Sequence, residues 1–138
     1  MDVEKKKSKV EAGQSAGNPP PARVRTILLV DDCLETRLMT KWFLDYVGYV
    51  VQAFPNAEEA LAQFDPKIHD LVVTDNSMPW MTGAEMARII KLRSPSTPVV
   101  MYTGAPPEDR TSLDALIQRP SPLPSLKEAV DQLLATRP

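Results

Sequence analysis

The chain is 138 residues long, with 16 Lys and Arg against 18 Asp and Glu and 43% apolar side chains. That length suits one domain, and a net charge of -2 gives no global signal for nucleic acid or a membrane surface. A single cysteine excludes an internal disulfide framework and a metal site built on several thiolates, and it points to a reducing compartment.

Residues 1–25 begin Met-Asp-Val-Glu-Lys-Lys-Lys, carry six basic side chains against three acidic ones, and contain Pro19-Pro20-Pro21 and no aromatic residue. Such a stretch buries too little apolar surface to order itself and lacks the apolar core of a signal peptide, so it reads as a disordered basic leader. The remainder, 26–138, reads as one mildly acidic domain. No later run approaches the roughly eighteen apolar residues of a spanning helix, so the chain is expected to be cytoplasmic, with no membrane partner.

From Thr26 the pattern alternates. Ile27-Leu28-Leu29-Val30 is a buried strand that stops abruptly on Asp31-Asp32. Leu34 to Val47 has helical spacing, with Gly48 as its stop. Tyr49 to Phe54 is a second strand, and Asn56 with Glu59 predicts a capping box for a second helix. Asp70 to Asp75 is a third strand; Thr82 and Glu85 cap a third helix through Met86, Ile89 and Ile90. Val99 to Thr103 is a fourth strand. Beyond it, Pro106-Pro107 allows only a stunted helix before a short strand at Ala115 to Gln118. A last helix is predicted with Ser125 and Glu128 as its capping box and Leu126, Val130, Leu133 and Leu134 inward. Five rounds of strand and helix imply a parallel sheet covered on both faces.

Ligands of such sheets bind outside the carboxyl ends of the strands. Those ends here supply Asp31 and Asp32, Asp75, Thr103 and Arg119. Three carboxylates brought together repel one another, which calls for a hard cation, and Mg²⁺ is the natural one. His69, just before the third strand, reads as a surface residue, and Cys33 as an inert small residue whose thiolate the adjacent acids disfavour.

The motifs Leu29-Val30-Asp31-Asp32, then Asp75-Asn76-Ser77-Met78-Pro79 with Gly83 eight positions after Asp75, then Val99-Val100-Met101-Tyr102-Thr103-Gly104-Ala105, resemble the receiver domain of two-component response regulators, the CheY-like family. The resemblance runs from about Thr26 to Thr136. It implies a flavodoxin-like doubly wound α/β fold, five parallel strands in the order 2-1-3-4-5 with helices on both faces and a short or irregular fourth helix. It implies that Asp75 accepts a phosphoryl group from a histidine kinase or a phosphotransfer protein. It further implies that Asp31, Asp32, Asp75 and the carbonyl of Ser77 hold Mg²⁺, and that Thr103 and Arg119 contact the phosphoryl group.

Three departures accompany the resemblance. Arg119-Pro120 stands where the family has Lys-Pro, Leu116 where it has an aromatic switch residue, and the stretch from Thr103 to Arg119 is short by roughly a turn and a half of helix. Ser77 and Ala105, at the positions that often orient a hydrolytic water, are small, so slow self-dephosphorylation is expected and no other enzyme activity. With nothing after Pro138, the expectation is a stand-alone regulator without a DNA-binding output domain, signalling to a downstream protein as a monomer or a phosphorylation-dependent dimer. The rival reading is a receiver-like interaction module that no longer depends on phosphorylation. An aspartyl-phosphate phosphatase would want an Asp-x-Asp loop, which neither Asp31-Asp32-Cys33 nor Asp75-Asn76-Ser77 supplies.

Overall fold

A computed structural model describes residues 23–136, and the first 22 residues of the expected leader lie outside them. The elements run β1 (Thr26–Val30), α1 (Leu34–Tyr46), β2 (Val50–Phe54), α2 (Ala57–Gln63), β3 (Leu71–Thr74), α3 (Gly83–Arg93), β4 (Val99–Thr103), β5 (Ala115–Gln118) and α4 (Leu123–Ala135). All five strands pair in parallel, in the order β2-β1-β3-β4-β5. Strand order therefore reverses between β1 and β3, and that crevice is where the acids lie.

Both faces of the sheet are covered, which is why the central strands are continuously apolar rather than alternating. Leu28, Val30 and Val72 point to the α2 and α3 side with Met86, Ala87 and Ile90. Ile27, Leu29, Leu71 and Val73 point to the α1 and α4 side with Leu44, Leu126, Val130 and Leu134. Arg23 and Arg25, which the sequence assigns to the leader, reach back to Asp70 at the entry to β3; Arg23 pairs with it directly. Burial pushes the Asp70 carboxyl up, but the Arg23 guanidinium and the Thr26 N–H outweigh this and hold it below the usual carboxylate range.

Local sequence explains most boundaries. The Thr82 hydroxyl accepts from the Glu85 N–H while the Glu85 carboxylate accepts from the Thr82 N–H, completing the capping box of α3. Asn56 Oδ1 caps α2 by accepting from the Glu59 N–H, but the expected box does not close, since the Glu59 carboxylate accepts from Asn56 Nδ2 rather than from the backbone N–H. The last helix departs from expectation. It starts at Leu123 rather than after a Ser125 cap, with Pro122 as its N-cap and no side-chain cap, because Pro124 in the first turn lacks only an N–H that has no intrahelical partner there.

Between β4 and β5, residues 104–114 form no helix at all. Pro106-Pro107 removes two amide donors where a helix would begin, and side chains take over the task of closing the crossover. Asp114 accepts from the Val99 N–H and from Lys91 Nζ, both at 2.7 Å, and Leu113 packs on the α2 and α3 side. Helix α1 turns most of its apolar side chains outward. Its buried residues are Thr40 and Leu44, whereas Leu34, Leu38, Met39, Trp42 and Tyr46 form an exposed apolar stripe in which Trp42 stacks on Tyr46 at 5.5 Å. No helix among the described residues is long and apolar enough to cross a membrane.

Candidate functional site: an acidic crevice at the carboxyl ends of the strands

Val30 of β1 and Thr74 of β3 are register partners, so the residues that follow them, Asp31 and Asp75, are set side by side. Backbone bonds lock the arrangement: Asp75 N–H donates to Val30 O at 3.0 Å and Asp31 N–H to Phe54 O at 3.1 Å. Asp32 joins them, and carboxylate oxygens of all three lie within 4.8 Å of one another. Asp31 is buried, Asp75 half-buried and Asp32 exposed.

Burial raises the Asp31 carboxyl above its usual range, and the charges of Asp75 and Asp32 push the same way. The Cys33 N–H, 2.9 Å from Oδ1, and the Arg119 guanidinium oppose the shift without cancelling it. Crowded, partly buried carboxylate oxygens held at charge cost are the donor set of a hard cation, so the residues present fit Mg²⁺. Ser77, whose carbonyl the family resemblance adds to that set, sits exposed in the loop two residues past Asp75.

Thr103 ends β4 and donates from Oγ1 to Asp75 Oδ1 at 2.5 Å; the Asn76 N–H donates to the same oxygen at 2.7 Å. Among the described residues the donors to Asp75 converge on Oδ1 and leave Oδ2 open. Arg119, just past β5, places Nη2 at 3.4 Å from Asp31 Oδ2 and 3.5 Å from Asp75 Oδ1. Among the described residues its buried Nε–H finds no hydrogen-bond partner.

The fold thus gathers Asp31, Asp32, Asp75, Thr103 and Arg119 into one crevice. Three contributors carry no clear signal in the sequence. Asn76 braces the loop through Nδ2 to Ala105 O at 3.0 Å and through Oδ1 from the Ala84 N–H at 3.1 Å. Arg37 donates to Asp31 O at 2.7 Å from the first turns of α1. Tyr102 offers its carbonyl and its ring to Arg119, which an aromatic residue beside Thr103 could have hinted at. Gly83 has a steric reason: a Cβ there would lie 2.0 Å from the Asp75 carbonyl oxygen. Leu116 is half-buried on β5. Cys33 reverses its expectation, because it stands at the N-cap of α1, where the Thr36 hydroxyl and N–H draw its thiol below the usual range.

Residues 27–118 match the family described as "Response regulator receiver domain". The chain belongs to this family of two-component response regulator domains. It is 29% identical over 114 residues to the autoinducer 1 sensor kinase/phosphatase LuxN of Vibrio campbellii, covering 79% of this chain but only 13% of LuxN. Among solved structures it resembles response regulator TrrA of Thermotoga maritima in complex with Mg²⁺-BeF, with a TM-score of 0.75, 29% identity, and coverage of 80% of this chain and 99% of that one. A CheY-like receiver domain from Methanospirillum hungatei gives a TM-score of 0.76 at 27% identity, covering 82% of this chain and 95% of that one. TrrA also appears in complex with the histidine kinase ThkA, at a TM-score of 0.74 and 30% identity over 80% of this chain and 99% of that one.

Proposed function

We propose that the domain is a phosphorylation-controlled signalling module of a two-component or phosphorelay system, with Asp75 as phosphoacceptor. The observation that carries this is the convergence of Asp31, Asp32 and Asp75 with Thr103 and Arg119 on one crevice. The Asp75 carboxylate attacks the phosphorus of a phosphohistidine, a new O–P bond forms, and the P–N bond to the donor imidazole breaks. Asp31, Asp32, Asp75 and the Ser77 carbonyl would hold Mg²⁺, which when bound neutralises charge on the transferring group. Thr103 turns its O–H from Asp75 Oδ1 to a phosphoryl oxygen, and Arg119 pairs with another. Ser77 and Ala105 place no large polar group to orient water, so hydrolysis is slow, and no other catalysis is assigned to the chain.

The donor is a histidine kinase or a phosphotransfer protein, and the acceptor of the signal is a downstream protein, in the cytoplasm. Support for a protein partner comes from the apolar stripe of α1, which starts beside the acids and is left uncovered by the other described residues. A second reading, an interaction module independent of phosphorylation, draws on the helix-free crossover and Leu116. Acetyl phosphate with Mg²⁺ separates the two. Intact mass should show one phosphoryl group on the wild type and none on Asp75→Asn, with amide shifts at Thr103, and the adduct should outlast minutes. No adduct and no shift would leave the second reading standing; a lifetime of seconds would overturn slow hydrolysis.

A further inference from the structure

We infer that Tyr102 is a positioning residue that seats the Arg119 guanidinium over the acidic crevice, and that this seat is what lets an arginine serve at this position. The inference rests on the phosphoacceptor reading above and concerns how this chain places its cation. Four contacts define the seat. Arg119 Nη2 donates to the Tyr102 carbonyl at 2.9 Å, and the guanidinium carbon lies 5.0 Å from the centroid of the Tyr102 ring. The Tyr102 hydroxyl donates to Ser121 O at 3.0 Å, and the Arg119 N–H donates to Thr103 O at 2.9 Å.

Residues 118–121 form a turn closed by the Ser121 N–H on Gln118 O at 3.0 Å. Tyr102 therefore fastens the turn beyond Arg119 with its hydroxyl and the side chain of Arg119 with its ring and carbonyl. The ring is buried, so it cannot swing aside with the loop. A flat guanidinium can lie against a ring face while one nitrogen spans Asp31 and Asp75; a compact, strongly hydrated ammonium matches that surface less well. The buried, unpartnered Nε–H remains as a second donor on the same fork.

The seat has opposite consequences for the two charges the site handles. A guanidinium fixed 3.4–3.5 Å from two carboxylates competes with Mg²⁺ for them, yet offers a preformed contact to phosphoryl oxygens. Releasing Arg119 should therefore tighten the metal and loosen the anion. Simple damage to the site would weaken both, which makes the split diagnostic.

The test compares wild type, Tyr102→Leu, Tyr102→Phe, Arg119→Lys and the Tyr102→Leu/Arg119→Lys pair. Mg²⁺ binding, and beryllofluoride binding in saturating Mg²⁺, are followed by tryptophan fluorescence from Trp80, in the loop that follows Asp75. Tyr102→Leu should lower beryllofluoride affinity about tenfold while raising Mg²⁺ affinity about threefold. Tyr102→Phe, which keeps ring and carbonyl, should stay within about twofold of wild type. The double variant should be no worse than Arg119→Lys alone, since the two side chains act as one unit. In the amide and guanidinium spectra, the Arg119 Nε–H resonance should lose its ring-current shift in Tyr102→Leu while the rest of the domain keeps its peaks. Equal weakening of both ligands, unchanged binding, or fully additive effects would overturn the seat. If the wild type itself takes no beryllofluoride, the phosphoacceptor reading falls, and the Arg119 resonance with the Mg²⁺ titration still decides the seat.

Discussion

Asp31 shows how one side chain carries a charge cost for a purpose. Its carboxyl is buried 2.9 Å from a single backbone donor, faces Asp75 and Asp32, and sits above the ordinary carboxylate range. A group raised in the folded state favours folding below its unfolded value and loses that contribution as pH rises through its folded value. At neutral pH without a cation, ionised Asp31 thus works against stability. Asp31→Asn keeps the shape and removes the charge, so it should stabilise the metal-free protein by about 1 kcal/mol, or roughly 4 °C in Tm. It should also abolish the rise in Tm that Mg²⁺ gives the wild type, and thermal melts with and without Mg²⁺ read both effects. A lower Tm for the metal-free variant would show that the carboxylate is paid for by its Arg119 and Cys33 contacts instead. Asp31, Asp32, Asp75 and Thr103 were all legible in the sequence, because each ends an apolar strand and strand ends are local features. The orientation of Arg119 was not, since its seat lies 17 residues away in the chain on another strand.

At the scale of elements, the loop from Asp75 to Thr82 is shaped by contacts to the start of α3. Gly83 donates its N–H to Asn76 O at 2.9 Å and brings the helix so close that no Cβ fits against the Asp75 carbonyl. The obstacle is backbone, which cannot step aside. Gly83→Ala should cost roughly 1–3 kcal/mol in urea unfolding and disturb the Asp75 amide resonance. Gly104→Ala, where a Cβ meets nothing within 4 Å, is the control and should stay within about 0.5 kcal/mol. Equal costs at the two positions would argue that the close approach at Gly83 does not matter. The caps at Asn56 and Thr82 could be read in advance because each is a short local pattern, although only Thr82 closes the reciprocal box and Glu59 turns to the Asn56 side-chain amide instead. The start of α4 and the complete loss of the helix that Pro106-Pro107 marks only as stunted could not, because both turn on which backbone groups have alternative partners. Asp114 and Pro124 supply that answer only in the folded chain.

For the molecule as a whole, burial sets the pH dependence. His69, which the sequence alone places at the surface, is 1% exposed beneath Phe64. Its Nδ1 accepts from the Asp65 N–H at 3.0 Å, so Nε2 carries the ring proton and faces Gln52 Oε1 at 2.8 Å. Burial pushes its pKa down against the nearby charges of Asp65 and Asp70. A base depressed in the folded state contributes stability that is complete above its unfolded value, about 6.5, and is lost as pH falls through the folded value. Urea midpoints should therefore decline below about pH 6.5, and His69→Gln should flatten that decline between pH 7 and 5. An unchanged slope would assign the loss to other groups.

Hydrophobic runs, their stops and their punctuation lie within a few residues of one another, and they were enough for the parallel sheet, its strand ends and the acidic crevice. Besides the start of α4 and the crossover, the burial of His69, the outward turn of the apolar α1 stripe and the hold of Tyr102 on Arg119 needed the folded chain. A helical period says that a helix has an apolar face, but not which way that face turns. Neighbouring strands and helices, distant in sequence, decide how each element is rotated and what it covers.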